Sequence, residues 1–380
     1  MIKIGKDEKK VEYLELIYDL IFVYVIGKNN SLLHNFDNGF VAPANFVAYA
    51  LCTLAIIQIW NFTTFYINLF GRNSFRDHVF LCINMYLMYF IGESTRTDWT
   101  GYQAEYHIAW GLILINIGIQ YMIELRNHKM DVWNRGMIKK MAATLFVEAA
   151  IVLISANFNP DASAIASFVA IFTGIIMTFY GRVKGASQTI DFSHLTERAM
   201  LYVVFTFGEM IIGLAGYFAG DGSFELNTIY YSLMAFLIVV GLFLSYGTIY
   251  DHIIDRERVD SRMLFMMIHI FIIFALNNIT NSLEFMREEE VAVLPKVLFI
   301  VLSIVGYYVF LLSTRLYAKR GCAINKAVMT RMLLLTAVFV AVMIVIRSVM
   351  AVKIFVSVVY VFLIYREVYI AGKKTSECES

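Results

Sequence analysis

A chain of 380 residues that is 59% hydrophobic and 16% charged is too apolar for a soluble domain, which runs nearer about 45–50% and 25%. A net charge of +1, with no basic stretch interleaved with aromatics, offers nothing to a nucleic-acid partner. The mean hydropathy of +0.67 makes the lipid bilayer the expected surrounding of most of the chain.

A helix crosses the hydrocarbon core in about 20 residues, and apolar runs of that length recur from end to end. They are expected near 13–34, 44–69, 75–95, 103–125, 137–156, 162–181, 197–219, 226–250, 261–283, 294–318, 328–347 and 350–370. The first ten residues are polar and basic. The run after them carries Glu15 and Asp19 and lacks a small-residue cleavage site, so it reads as a retained first span rather than a signal peptide. The break between the last two spans rests on Arg347 and Lys353. No ten-residue alternation suggests barrel strands. The expected fold is therefore all-α, a polytopic transmembrane bundle of about 12 helices. Cys52, Cys82 and Cys322 lie in or beside apolar runs and Cys378 in the polar tail; they read as buried thiols packing as small hydrophobes, with no disulfide or metal site expected.

With both termini in the cytoplasm, 25 of the 31 Lys and Arg fall on inner segments, and Lys28, Arg96, Arg287, Lys296, Arg347 and Lys353 fall outside. That bias sets the orientation. The spans also fall into two sets of six, 1–190 and 191–380. Glu15 then lies opposite Glu197, Arg72–His78 opposite Arg256–Arg262, and Glu93 opposite Asn277. An even number of helices per set makes the repeats parallel, related by an axis along the membrane normal.

Two segments carry a family resemblance. One is VEYLELIYDLIFVYVIGKNNSLLH, residues 11–34; the other is HLTERAMLYVVFTFGEMIIGL, residues 194–214. The first resembles the E-L-F-[FY]-D-L-V-F-V helix of the bacterial low-temperature-requirement A (LtrA) family. The second resembles that family's H-L-x-E-R-x-x-L-x-x-I-x-x-L-G-E helix at His194, Leu195, Glu197, Arg198, Leu201, Gly208 and Glu209, and departs from it at Met210, where the family has Ser. The resemblance implies a multi-pass protein of the bacterial inner membrane. The family's name records cold growth, not a chemistry, so no catalytic set and no cofactor come with it.

Ionisable groups inside a bilayer are candidate sites by default. Glu12, Glu15 and Asp19 share one face of the first helix. Arg76, Asp77 and His78 open the third, and His194, Glu197 and Arg198 open the seventh, all at the cytoplasmic side. Two readings are open for this cluster: an ion-pair network pinning helix ends together, or a vestibule for proton entry. Deeper lie Glu148 in the fifth helix and Glu209 in the seventh, with Glu93 and Lys28 nearer the outside. These four are the proton- or ion-binding candidates. An unpaired carboxyl in hydrocarbon favours its neutral form, whereas pairing Lys28 with Glu93 or Glu209 keeps both ionised. Gly208, Gly213, Gly216 and Gly220 let other helices approach Glu209 closely. Polar stripes on the second helix (Gln58, Asn61, Thr63, Thr64, Asn68) and the ninth (His269, Asn277, Asn278, Asn281) read as interhelical hydrogen bonds or as a wet path.

No H-E-x-x-H, P-loop, G-x-S-x-G or G-x-G-x-x-G appears, which argues against an enzyme. The expected function is a secondary transporter or permease using intramembrane carboxylates. The alternatives are an ion channel, or a membrane-embedded enzyme or accessory protein acting on lipid or quinone. A second copy of the chain, as a homodimer, is compatible with this reading. The topology has a direct test: reporters fused at residues 130 and 320 should signal cytoplasm and those at 160 and 222 the outside, and a periplasmic signal at 320 refutes twelve spans.

Overall fold

The computed structural model describes residues 11–95, 99–126, 132–180, 191–218, 225–256, 262–321, 324–346 and 349–377. Lys3, Lys6, Lys9, Lys10, Arg96, Arg347, Cys322, Cys378 and the boundary at 190/191 lie outside the described residues, as do the side chains of Trp99 and Trp133.

Twelve α-helices are present among the described residues. They are α1 (Tyr13–Asn29), α2 (Pro43–Phe70), α3 (Phe75–Ser94), α4 (Trp99–Glu124), α5 (Val132–Ser155), α6 (Pro160–Tyr180), α7 (Phe192–Leu214), α8 (Leu226–Thr248), α9 (Arg262–Phe285), α10 (Val293–Ser313), α11 (Lys326–Val345) and α12 (Met350–Glu377). The only sheet among the described residues is a hairpin of two two-residue strands, β1 (Phe36–Asp37) and β2 (Phe40–Val41). Its turn, Asn38-Gly39, has positive φ at both residues, 49° and 80°, as a tight hairpin connection requires.

Local chemistry sets the helix starts. Pro43 and Pro160 each occupy the first position of their helices, where a missing N–H costs nothing. Ser74 and Asp77 form a capping box on α3. Asn159 Oδ1 accepts from Ala162 N at 2.9 Å before α6. Asp191 Oδ1 accepts from His194 N at 3.1 Å before α7, and Asn325 Oδ1 does the same for Val328 N before α11.

Nine of the helices are long and apolar enough to cross a membrane. The other three, α3, α5 and α7, are those that carry Asp77 and Glu93, Glu148 with Lys139 and Lys140, and Glu197, Arg198 and Glu209. Lipid is the solvent of the outer faces. Ile165, Phe168, Phe172 and Ile176 recur at helical spacing along one side of α6 and are 46–68% exposed, a strip water would not tolerate. This is a multi-pass membrane protein.

The chain forms two compact units. The first comprises residues 1–35, 41–202 and 259–266. Its centre is α2, which is buried along most of its length, with Tyr49, Trp60 and Tyr66 fully enclosed. The second comprises residues 36–40, 203–258 and 267–380. Here Gly241 of α8 leaves room for Val361 of α12, and Tyr307 OH of α10 donates to the carbonyl of Leu242 at 2.8 Å. Phe339 of α11 stacks on Tyr360 of α12 at 4.1 Å.

Asp77 accepts from the backbone N–H groups of Arg72 and Ser74 and from the Ser74 hydroxyl. Asp77→Ala should therefore cost about 1 kcal/mol, read as a lowered midpoint of thermal unfolding in detergent; an unchanged midpoint would show that the cap is redundant.

Candidate functional site

The first unit encloses an ion cluster built from the two segments that stand out in the sequence. Glu15 and Asp19 lie one turn apart on α1, and His194 and Arg198 lie one turn apart on α7. The spacing of four puts each pair on one face, and the two faces meet. The Arg198 guanidinium donates to Glu15 through Nη1 and to Asp19 through Nη2, the latter at 2.5 Å. The side chains of Arg198 and Asp19 are wholly buried and that of Glu15 is 5% exposed. Trp60 Nε1 of α2 donates to Asp19 Oδ1 at 2.8 Å, and the Trp60 ring packs on Tyr202 at 4.4 Å.

Asn68 of α2 orients the histidine. Its Oδ1 accepts from Asp191 N at 3.1 Å and its Nδ2 donates to Asp191 O at 2.8 Å. The amide cannot then be flipped, so Nδ2 is the group facing His194 Nδ1 at 3.0 Å. Nδ1 accepts, and Nε2 of the neutral ring carries the proton. That nitrogen points at Glu15 Oε2, 3.7 Å away. With His194 neutral, one guanidinium faces two carboxylates, and the cluster holds one negative charge in excess. Among the described residues Asp19 Oδ2 and Arg198 Nε have no hydrogen-bond partner.

A polar chain continues from the same turn of α1. Tyr18 OH bonds Thr63 Oγ1 at 3.0 Å, Asn84 Nδ2 donates to Tyr18 OH at 3.4 Å, and Asn116 Nδ2 donates to Asn84 Oδ1 at 2.9 Å. Four helices, α2, α1, α3 and α4, are thereby tied at one level.

The other residues singled out in the sequence separate into distinct places. Arg76 does not join the Arg198 cluster; it pairs with Glu124 at the end of α4, where Arg72 Nη2 also lies 3.6 Å from the carboxylate and Tyr66 OH donates at 3.3 Å. Asp77 caps α3, and His78 bonds exposed Asn73 at 2.6 Å. Glu12 and Glu197 are part-exposed and stand outside the cluster. Lys28 lies 3.4 Å from Glu93, with both side chains 43% exposed, and Tyr24 OH donates to the same carboxylate. Glu148 of α5 is fully buried, with no hydrogen-bond partner for either oxygen among the described residues. Glu209 is part-buried in the second unit, within electrostatic reach of Glu284 of α9, which packs against Gly213 one turn further along α7. Among the described residues no group of three or more His, Cys, Asp or Glu could hold a metal ion.

Glu124 and Trp60 are absent from the sequence-derived candidates. Glu124 ends an apolar helix and reads as a solvated terminus, yet it is 3% exposed. Trp60 reads as packing; only its ring N–H, aimed at Asp19, shows otherwise.

The model of the bacterial low temperature requirement A protein (LtrA) family matches residues 10–364. The chain belongs to this family. Both signature segments of the LtrA family lie within the match, and the structure makes them partners, since the acids of the first neutralise the arginine of the second. The uncharacterized protein RA0937 of Rhizobium meliloti (strain 1021) is 22% identical over 218 residues, which is 55% of this chain and 52% of that protein. The chain thus matches about half the length of that curated relative. No solved structure matches.

Removing one partner of a buried ion pair strands the other, at about 3–5 kcal/mol. Arg198→Gln should therefore abolish or sharply lower thermal stability in detergent. Adding Glu15→Gln and Asp19→Asn to it should restore much of the loss. A triple variant no better than the single one would mean that Arg198 acts through packing instead.

Proposed function

We propose that this LtrA-family chain is a secondary transporter or permease coupled to proton movement, with the Arg198 cluster as the coupling group. The observation that supports it is the imbalance of charge: two carboxylates and one guanidinium, sealed from solvent, on helices of a membrane bundle. Intramembrane charge of this kind is expensive and accompanies ion or substrate pathways.

Adding one proton makes the cluster neutral. Asp19 is the acceptor best placed to take it, because Oδ2 is free of hydrogen bonds while Oδ1 is held by Trp60 and Arg198. A neutral Asp19 keeps its bond from Trp60 but no longer attracts the guanidinium, which is left to Glu15 alone. The electrostatic clamp between α1 and α7 weakens, and it tightens again when the proton leaves. In this reading the six-helix halves 1–190 and 191–380, inside-facing at both termini, are the moving parts of an alternating-access cycle.

The test uses proteoliposomes of the full chain loaded with a pH-sensitive dye and offered potassium, ammonium, amino acids and small carboxylates in turn. At least one should drive a saturable pH change, and Asp19→Asn should cut it by about tenfold or more, equivalent to ~1.4 kcal/mol in the barrier. Unitary currents in planar bilayers in place of saturation would replace the carrier with a channel. A pH response unchanged by Asp19→Asn would remove the cluster from the coupling role.

A further inference from the structure

A second line of buried polar groups lies in the first unit, along α6 and its neighbours. At its centre Glu148 of α5 adjoins Gln58 of α2, both against Gly174 of α6. A Cβ added at Gly174 would fall 2.3 Å from Glu148 Oε2 and 2.2 Å from Gln58 Nε2, so these head groups fill the space that glycine leaves open. Gln58 Nε2 donates to the carbonyl of Ile171 at 3.2 Å. Among the described residues, both Glu148 oxygens and Gln58 Oε1 lack hydrogen-bond partners.

Towards the start of α6, about two turns before Gly174, lies a small cavity lined by Cys52, His107, Trp110, Ser163 and Ser167. Its volume is about 10 Å³, room for roughly one water molecule. His107 Nδ1 lies 2.6 Å from the carbonyl of Gln103, so Nδ1 carries the proton and Nε2 accepts. Nε2 lies 2.8 Å from Ser167 Oγ and 3.2 Å from Ser163 Oγ. Trp110 Nε1, on a residue 1% exposed, is a donor without a partner among the described residues. Towards the other end, Thr144 and Lys140 precede Glu148 by one and two turns of α5, and Lys140 Nζ donates to the carbonyl of Thr178 at 2.9 Å. From Ser163 to Thr178 the line runs about 22 Å along α6 at 1.5 Å per residue, most of the roughly 30 Å hydrocarbon core.

Among the described residues no ion pair involves Glu148. Helix α2 carries no charged residue, and α6 carries Asp161 only, in its first turn. On α4 the acidic and imidazole groups are Glu105, His107 and Glu124, none of them among the atoms that meet Gly174 beside Glu148 and Gln58. Three unpartnered oxygens fall short of the six to eight that a hard divalent cation takes, and the tight packing at Gly174 leaves no space for the rest. A proton neutralises the carboxyl within the space available.

We propose that Glu148 is a proton-binding site that exchanges with solvent through the His107–Ser163–Ser167 cavity, separate from the Arg198 cluster. A hydronium ion delivers its proton to a Glu148 oxygen and leaves as water, and the reverse step releases it. The cavity supplies the intermediate station: a water there can donate to His107 Nε2 or the serine hydroxyls and accept from Trp110.

Infrared spectra of the full chain in lipid, before and after transfer to D2O, test this without any transported solute. They therefore stand whether or not the coupled-transport reading holds. The wild type should show a carboxylic C=O stretch that Glu148→Gln removes and that shifts on deuteration. Ser163→Ala with Ser167→Ala should slow that shift by about tenfold or more, a barrier increase of ~1.4 kcal/mol. If Glu148→Gln does not assemble, Glu148→Asp identifies the band by moving it. Absence of the band, which means an ionised carboxylate or a bound metal ion, overturns the proposal. So does a band that ignores D2O, or exchange that is equally fast in the double serine variant.

Discussion

The guanidinium of Arg198 sits between two carboxylates of α1, out of contact with solvent, and this interaction organises the first unit. None of the three groups is tolerable alone in such surroundings; each is there because the others are. Position follows from that requirement. Glu15 and Asp19 must lie one turn apart, α1 must lie against α7 in the register that brings Arg198 between them, and α2 must present Trp60 to the same Asp19 oxygen that Arg198 holds. Asp191 and Asn68 then seat the first turn of α7 and aim His194 at the same cluster. A pattern of charges that looks like a defect in two apolar helices is what brings those helices together.

The same principle sorts the other charges of the first unit. Glu124 draws Arg72 and Arg76 to one end of α4, so the connection between α2 and α3 is held by charge as well as by the α3 cap. Lys28 and Glu93 pair where both are half exposed, so neither charge carries the full cost of burial. Glu148 is the exception. It has the burial of the Arg198 cluster without its compensation, which is why a functional reading attaches to it rather than to the better-paired acids.

The polar stripe on α2 shows how packing and chemistry share one helix. Gln58, Thr63 and Asn68 each bond a different neighbour, respectively α6, α1 and the start of α7. A helix buried on every side can distribute such contacts around its circumference, whereas a helix with a lipid face cannot. In the second unit His269 of α9 likewise reaches Tyr246 OH of α8 at 3.1 Å. These groups read equally as hydrogen bonds or as a wet path in the sequence; for these residues the structure shows the bonds.

Hydropathy by itself determined the number of helices, their limits to within about seven residues, and the membrane surrounding, because apolar runs of this length without strand alternation can satisfy their backbone in lipid only as helices. The same patterning marked α1 and α7 as unusual, since acids and a guanidinium in an apolar run carry a desolvation cost that must be met somewhere. It did not reveal where. Glu15, Asp19, His194 and Arg198 stand in one expected cluster with Glu12, Arg76, Asp77, His78 and Glu197, because a helical period places residues on a face but says nothing of which face meets which. Only tertiary packing separated the buried four from an α3 cap, a second ion group around Glu124 and three peripheral side chains. The chain positions of Trp60 and Glu124 carry no sign of their role, and that of Asn68 shows a polar contact but not its partner, because a hydrogen bond across 41, 58 or 126 residues exists only once the helices are in place.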